Sequence, residues 1–168
     1  MQTVIVTGSN GLLGQKLLDK LRDRQAVRLI ACARGKNRYP NDSGYTYESV
    51  DLTDFEALSA LFEEYQPDAV INCAAMTQVD ACETDHKQCD AVNVKAVHTL
   101  AGLCKQHDTH LIHLSTDFIF DGEDGPYKED DAANPLSYYG HSKLKAEEVI
   151  AKSGAKAAII RTVLVFGV

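Results

Sequence analysis

The sequence predicts a doubly wound α/β domain built on a parallel sheet, and three observations carry that prediction. Short β-branched runs alternate with longer segments of helical periodicity along the whole chain. Gly8, Gly11 and Gly14 fall at the junction of the first apolar run with the first periodic segment. No repeat, low-complexity tract or linker interrupts the alternation, so 168 residues with 45% hydrophobic content are read as one domain, residues 1–168.

Each element follows in order. The first strand is "TVIVT", and the helix after it opens near Gly11, with Leu13, Leu17 and Leu21 beside Gly14 and Leu18 on one apolar stripe. "VRLIACA" is the second strand and "YTYESV" the third, the latter leading into the helix "DFEALSALFEEY". "DAVINCA" is the fourth strand, followed by a long helix ending near His107. "HLIHLS" is the fifth. A solvated acidic loop, Asp121 to Pro135, then precedes a helix near Tyr139 to Ala151, and "AAIIRTVLVF" is the sixth strand. Strands separated by helices pair in parallel, cross over right-handedly and are covered on both faces, which is the Rossmann arrangement.

Charge and cysteine usage exclude several function classes. With 17 basic and 24 acidic side chains the formal charge is −7, which repels phosphate backbones and anionic lipid surfaces. No apolar run approaches the roughly 20 residues that span a bilayer, and Met1-Gln2 leads into a strand without a basic leader. The expectation is a cytoplasmic protein without nucleic-acid or membrane partners. Five scattered cysteines without a C-x-x-C pair suit a reducing compartment. Cys82, His86 and Cys89 in "CETDHKQC" share one helical face, but a structural zinc wants a fourth ligand that no neighbour supplies. They are read as helix-face residues, and no metal is expected.

The glycines allow two readings, a packing turn or a seat for phosphates. The strand-to-helix context favours the seat: Gly8 permits the tight turn, Gly11 lets a pyrophosphate approach the backbone, and Gly14 lets the helix lie close to the strand. The helix N-terminus adds free N–H groups and a positive dipole end. Gly8, Asn10, Gly11, Leu12 and Gly14 are thus the candidate phosphate-loop residues. At the end of the second strand, where an NAD site places an acidic residue, the chain has Arg34-Gly35-Lys36-Asn37-Arg38. Three cations favour a 2′-phosphate, hence NADP(H) over NAD(H), against the alternative of a solvated basic loop. Asp51, closing the third strand, can accept from an adenine amino group, with Leu52 against the ring.

Tyr139 and Lys143 are four residues apart and neighbours on one helical face. An ammonium beside the phenol would lower the tyrosine pKa and make Tyr139 a proton donor or acceptor. Thr116 at the end of "HLST" can bond the same substrate oxygen, where charge develops during hydride transfer. Tyr138, one residue off register, cannot pair with Lys143.

At these residues, together with "INCAA", Asn93 in "AVNVKA", "VDACE" and the run "STDFIFDG" to "YGHSK", the chain resembles the extended short-chain dehydrogenase/reductase family, and within it the dTDP-4-dehydrorhamnose reductases. The resemblance implies Thr116, Tyr139 and Lys143 as catalytic triad, with Lys143 also holding the nicotinamide ribose. It further implies Ala74 and Ala75 along the cofactor groove, and Asn93 supporting the lysine through water. The implied reaction is NADPH-dependent reduction of the 4-keto group of a nucleotide sugar, with the proton from Tyr139. Family members run to about twice this length, so the chain is expected to lack most of the C-terminal substrate lobe. An NADP-binding regulatory role, like that of the methionine adenosyltransferase β subunit, and an NAD-dependent sugar epimerase remain as alternatives. The identity of the sugar and the oligomeric state stay open, a homodimer being one option.

Overall fold

The computed structural model describes residues 1–166. Among them, six parallel strands form one sheet in the order β3-β2-β1-β4-β5-β6. They are β1 (Gln2–Thr7), β2 (Val27–Ala33), β3 (Thr46–Ser49), β4 (Ala69–Asn72), β5 (His110–Thr116) and β6 (Ala157–Thr162). The chain moves outward from β1 to β3, then crosses back to β4 and runs the other way, so the switch point lies between β1 and β4. The Rossmann arrangement read from the alternation is the fold observed.

Alternation along the strands divides the core. Val6, Leu29 and Ala31 face α1 (Leu12–Leu21), whose Leu18 is fully buried. Ile5, Ile30 and Val70 face the opposite way, onto α2 (Phe55–Tyr65), α5 (Ala96–Gln106) and α6 (Tyr138–Ser153). Phe62, Leu100 and Leu58 are fully buried there; each such side chain contributes about 1.5–3 kcal/mol over its exposed state. The acidic loop before α6 contains no helix or strand. No helix of the described residues is long and apolar enough to cross a membrane.

Two expectations are corrected. The helix predicted to end near His107 is four pieces: α3 (Val79–Thr84), α4 (His86–Asp90), a π-helical turn over Ala91–Lys95, and α5. Asp85 leaves helical geometry at φ −129°, ψ 73°, and its carboxylate restarts the chain by accepting from Gln88 N at 2.9 Å. Cys82 and Cys89 consequently lie on separate helices, both buried, and His86 instead stacks on Tyr138 with ring centroids 3.6 Å apart. The sixth strand, predicted to run through Phe166, ends at Thr162. Its ladder stops because Thr116, the last residue of β5, pairs with Thr162 and offers nothing beyond. Val163, Leu164 and Phe166 are then at least 72% exposed. The last two residues of the chain, the end of the "RTVLVFGV" segment, lie outside the described residues.

Candidate active site

Gly8 follows β1 at φ +66°, a left-handed conformation, and a Cβ there would stand 2.6 Å from Ala74 N. Both backbone shape and the approach of the chain after β4 therefore demand glycine. A Cβ on Gly14 would meet Gly8 O at 2.4 Å, which fixes how closely α1 lies on the turn. Gly11 differs: its Cβ would meet only Gly8 O, at 3.3 Å, and the backbone is extended at φ −83°. Nothing in the protein requires glycine there. The free side of Gly11 opens on a groove of about 420 Å³ whose walls also include Gly8, Arg34, Asp51, Ala74 and Ala75.

These features fit a dinucleotide's phosphates. No side chain caps the first N–H groups of α1, and no acidic residue sits in its first turn. The Ser9 hydroxyl, 1% exposed, finds no hydrogen-bond partner among the described residues. Asn10 does not face the groove but clasps the basic loop. Its Oδ1 accepts from Arg38 N at 2.8 Å and its Nδ2 donates to Lys36 O at 3.0 Å. Of the three loop cations, Arg34 alone is in the groove wall. Leu52 lines it as well, whereas Leu12, at the start of α1, is 44% exposed and outside it. Asp51 is held below the usual carboxylate range, first by the Thr53 N–H, then by the Thr53 hydroxyl and by Arg34.

Outside the groove wall, β5 delivers Thr116 and the first turn of α6 delivers Tyr139, 7% and 8% exposed; neither they nor Lys143 line the groove. Ser137 caps that helix by accepting from Gly140 N at 3.1 Å. Gly140 must be small, since its Cβ would lie 2.3 Å from Phe118 O. Burial pushes the Tyr139 phenol above its usual pKa, with the Thr116 hydroxyl pulling it the other way. The expected lowering by Lys143 is not what the structure holds. Lys143 is 2% exposed, and its Nζ lies 2.6 Å from Leu114 O and 3.1 Å from His113 Nε2. A buried amine takes the nearest interior partners, and these sit on β5 rather than on the phenol. Its pKa falls to about 8 through burial.

Asn93 makes its direct contacts with Met76 and Ser142. On the π-helical turn and 1% exposed, it accepts from Met76 N at 2.8 Å and donates to Met76 O at 3.0 Å and Ser142 Oγ at 2.9 Å. It braces the groove wall, of which Met76 is part. Other wall residues escaped the sequence reading: Ala33, Val50, Thr53, Cys73, Gln88 and Val92. Ala33 and Val50 had a usable signal, as the strand-end neighbours of Arg34 and Asp51; the rest are apolar or common polar residues without one. All five cysteines are free thiols, and no group of three His, Cys, Asp or Glu among the described residues is placed to hold a metal ion.

A 3-2-1-4-5-6 parallel sheet, with a glycine turn opening a groove beside its switch point, defines a Rossmann-type domain, the class whose crevice receives dinucleotides. Comparison with known proteins narrows this. The chain belongs to the RmlD substrate binding domain family, whose model matches residues 1–168. It is 40% identical over 163 residues to the probable low-salt glycan biosynthesis reductase Agl14 of Haloferax volcanii, covering 96% of this chain and 53% of that protein. It is 31% identical to methionine adenosyltransferase 2 subunit beta of Xenopus tropicalis, covering 97% of this chain and 47% of that one. The crystal structure of dTDP-4-dehydrorhamnose reductase from Bacillus anthracis in complex with NADP superposes with a TM-score of 0.80 at 26% identity, over 96% of this chain and 53% of that one. The chain thus spans about half the length of the curated relatives it matches.

Proposed function

We propose that this chain supplies the cofactor groove and the proton-transfer side chains of an NADPH-dependent reductase acting on the 4-keto group of a nucleotide sugar, in the manner of the dTDP-4-dehydrorhamnose reductases. The observation that carries the reading is the adjacency of the Thr116 hydroxyl and the Tyr139 phenol where β5 meets the first turn of α6, with Lys143 close to Cys73, a wall residue of the groove that Gly8 and Gly11 open. The reductase relatives, one of them bound to NADP, support it.

In this reading the α1 N-terminus and Gly11 receive the pyrophosphate, Arg34 the 2′-phosphate, and Asp51 with Leu52 the adenine. Lys143 reaches the nicotinamide ribose from beside Cys73. NADPH, when bound, supplies the hydride. Thr116 donates to the sugar carbonyl and orients it, and Tyr139 gives its proton to the oxygen as negative charge develops. A phenol kept protonated by burial suits a donor. The relatives run to about twice this length, and in this reading it is residues corresponding to their second half that enclose the sugar, so the 168 residues alone bind cofactor and turn over no sugar. Full-length protein that oxidises NADPH with a dTDP-4-keto-6-deoxy sugar establishes the reaction. NADPH binding without oxidation by any 4-keto sugar nucleotide, joined to stable co-purification with a methionine adenosyltransferase, would replace it by a regulatory role, which the 31% identical β subunit favours.

A further inference from the structure

A buried polar row crosses the sheet just below the groove and ends on Lys143. Thr7, Asn72 and His113 are register neighbours on β1, β4 and β5, and each is at most 1% exposed. The Thr7 hydroxyl donates to Asn72 Oδ1 at 2.6 Å, and the Ala74 backbone N–H reaches the same oxygen at 3.3 Å. A backbone N–H cannot accept, so this atom is the amide oxygen, and the Asn72 NH₂ is the group facing His113 Nδ1 at 3.0 Å. Nδ1 therefore accepts. A neutral imidazole then carries its single proton on Nε2, the atom 3.1 Å from Lys143 Nζ. An ammonium in that place would set donor against donor, whereas a neutral amine accepts from Nε2–H and still donates to Leu114 O.

We infer that His113 is a positioning residue that parks Lys143 as a neutral amine, and that Lys143 leaves this berth for the groove when it takes up a proton. The inference rests on the proposed role of Lys143 at the nicotinamide ribose. Above the lysine's pKa of about 8, cofactor binding then draws one proton from solvent onto Nζ, His113 keeps its own proton, and the charged amine turns from the ring toward the ligand. Other titratable groups about Lys143 are Glu147 one turn along α6, Cys73 after β4 and Cys89 on α4. Burial holds the Cys73 thiol near 12 and the His113 ring is pushed down to about 3, so neither titrates near neutrality. The device makes the groove's readiness for a dinucleotide depend on pH through an interior ring that never touches the ligand.

Two measurements on the full-length protein test this. Two-bond ¹⁵N–¹H correlation spectra of the cofactor-free protein, with His113 assigned by His113→Gln, should show the Nε2–H tautomer; the Nδ1–H tautomer or a charged ring at pH 7 overturns the inference. That readout needs neither turnover nor cofactor binding, so a failed reductase assay leaves it decisive. NADPH affinity should then fall at least tenfold between about pH 7.5 and about pH 9.5, since uptake of one proton gives close to tenfold per pH unit above the lysine's own pKa. Calorimetry in two buffers of different ionisation enthalpy should find close to one proton taken up at about pH 9. Asn72→Asp, isosteric and accepting from Nδ1–H, turns the Nε2 lone pair toward Lys143 and should flatten both the pH dependence and the uptake. A pH dependence unchanged in Asn72→Asp overturns the inference; loss of NADPH binding at every pH in the unmodified protein overturns the proposed function instead.

Discussion

Arg34 and Asp51 face one another across the mouth of the groove, Nη1 lying 3.6 Å from Oδ2. Both are substantially solvated, at 76% and 40% side-chain exposure, so the pair contributes little to stability. Arg34 is consequently free to be redirected onto a ligand, while Thr53 keeps Asp51 in place without it.

Arg34→Ser should weaken NADPH binding tenfold or more, the scale of a lost charge-assisted hydrogen bond of about 1.5–3 kcal/mol, and leave NADH nearly unaffected. Fluorescence titration of each cofactor measures this. Lys36→Ser, outside the groove wall, should change either affinity less than threefold, and an equal loss of both cofactors in Arg34→Ser would remove the phosphate role from this side chain.

Gly14→Ala and Gly11→Ala should separate packing from binding. At Gly14 the added carbon would meet Gly8 O at 2.4 Å, an overpacking that costs about 1–3 kcal/mol and appears as a lower Tm. At Gly11 it meets one atom, at 3.3 Å, so stability is kept while NADPH affinity drops. Thermal denaturation with and without NADPH distinguishes the two.

Tyr139→Phe in the full-length protein should lower keto reduction by about 10²-fold or more, the loss expected for a general acid, with the NADPH Kd within about twofold. Retention of a tenth of turnover would remove Tyr139 from proton transfer. Phe118, edge-on to the Tyr139 ring at 6.0 Å, keeps the substituted ring in place.

Stability should fall on acidification through His113. Its folded pKa is pushed down to about 3, first by burial and then by Lys143, from an ordinary value of 6.5. Between these values the unfolded chain binds the extra proton, so the stabilisation is fully present above about pH 6.5 and is lost progressively toward pH 3. Urea denaturation at about pH 7 and pH 5 should show a smaller difference in His113→Gln than in the unmodified protein.

How much of this was legible in the sequence follows from the physics of each part. Strands β1, β2 and β5 could be read to within a residue or so because buried parallel strands are nearly continuous β-branched runs. Gly8 and Gly14 could be read because a turn and a close approach leave no alternative residue. Asp85 was not legible as a break, since an aspartate on a helix surface and one that caps the next helix look alike in sequence. The partner of Lys143 was hidden for a different reason. Helical spacing places it beside Tyr139, but which acceptor a buried amine takes is decided by β5, thirty positions earlier, and by the register that brings His113 level with Asn72. Arg34 and Asp51 were legible one at a time, and their contact across the groove was not.

The π-helical turn at Ala91–Lys95 carries one residue more than an α-helix would use, which advances the phase of everything after it by about 100°. Shortening the chain by one residue there would restore a straight rod and a regular hydrogen-bond ladder, yet it would swing either Asn93 off Met76 or Val97, Leu100 and Cys104 out of the interior. The irregularity therefore acts as a clutch between two rotational settings, one serving the wall of the groove and the other the body of the domain. A helix with better local geometry would be the poorer part, its damage read in ligand affinity if the first setting is lost and in melting temperature if the second is.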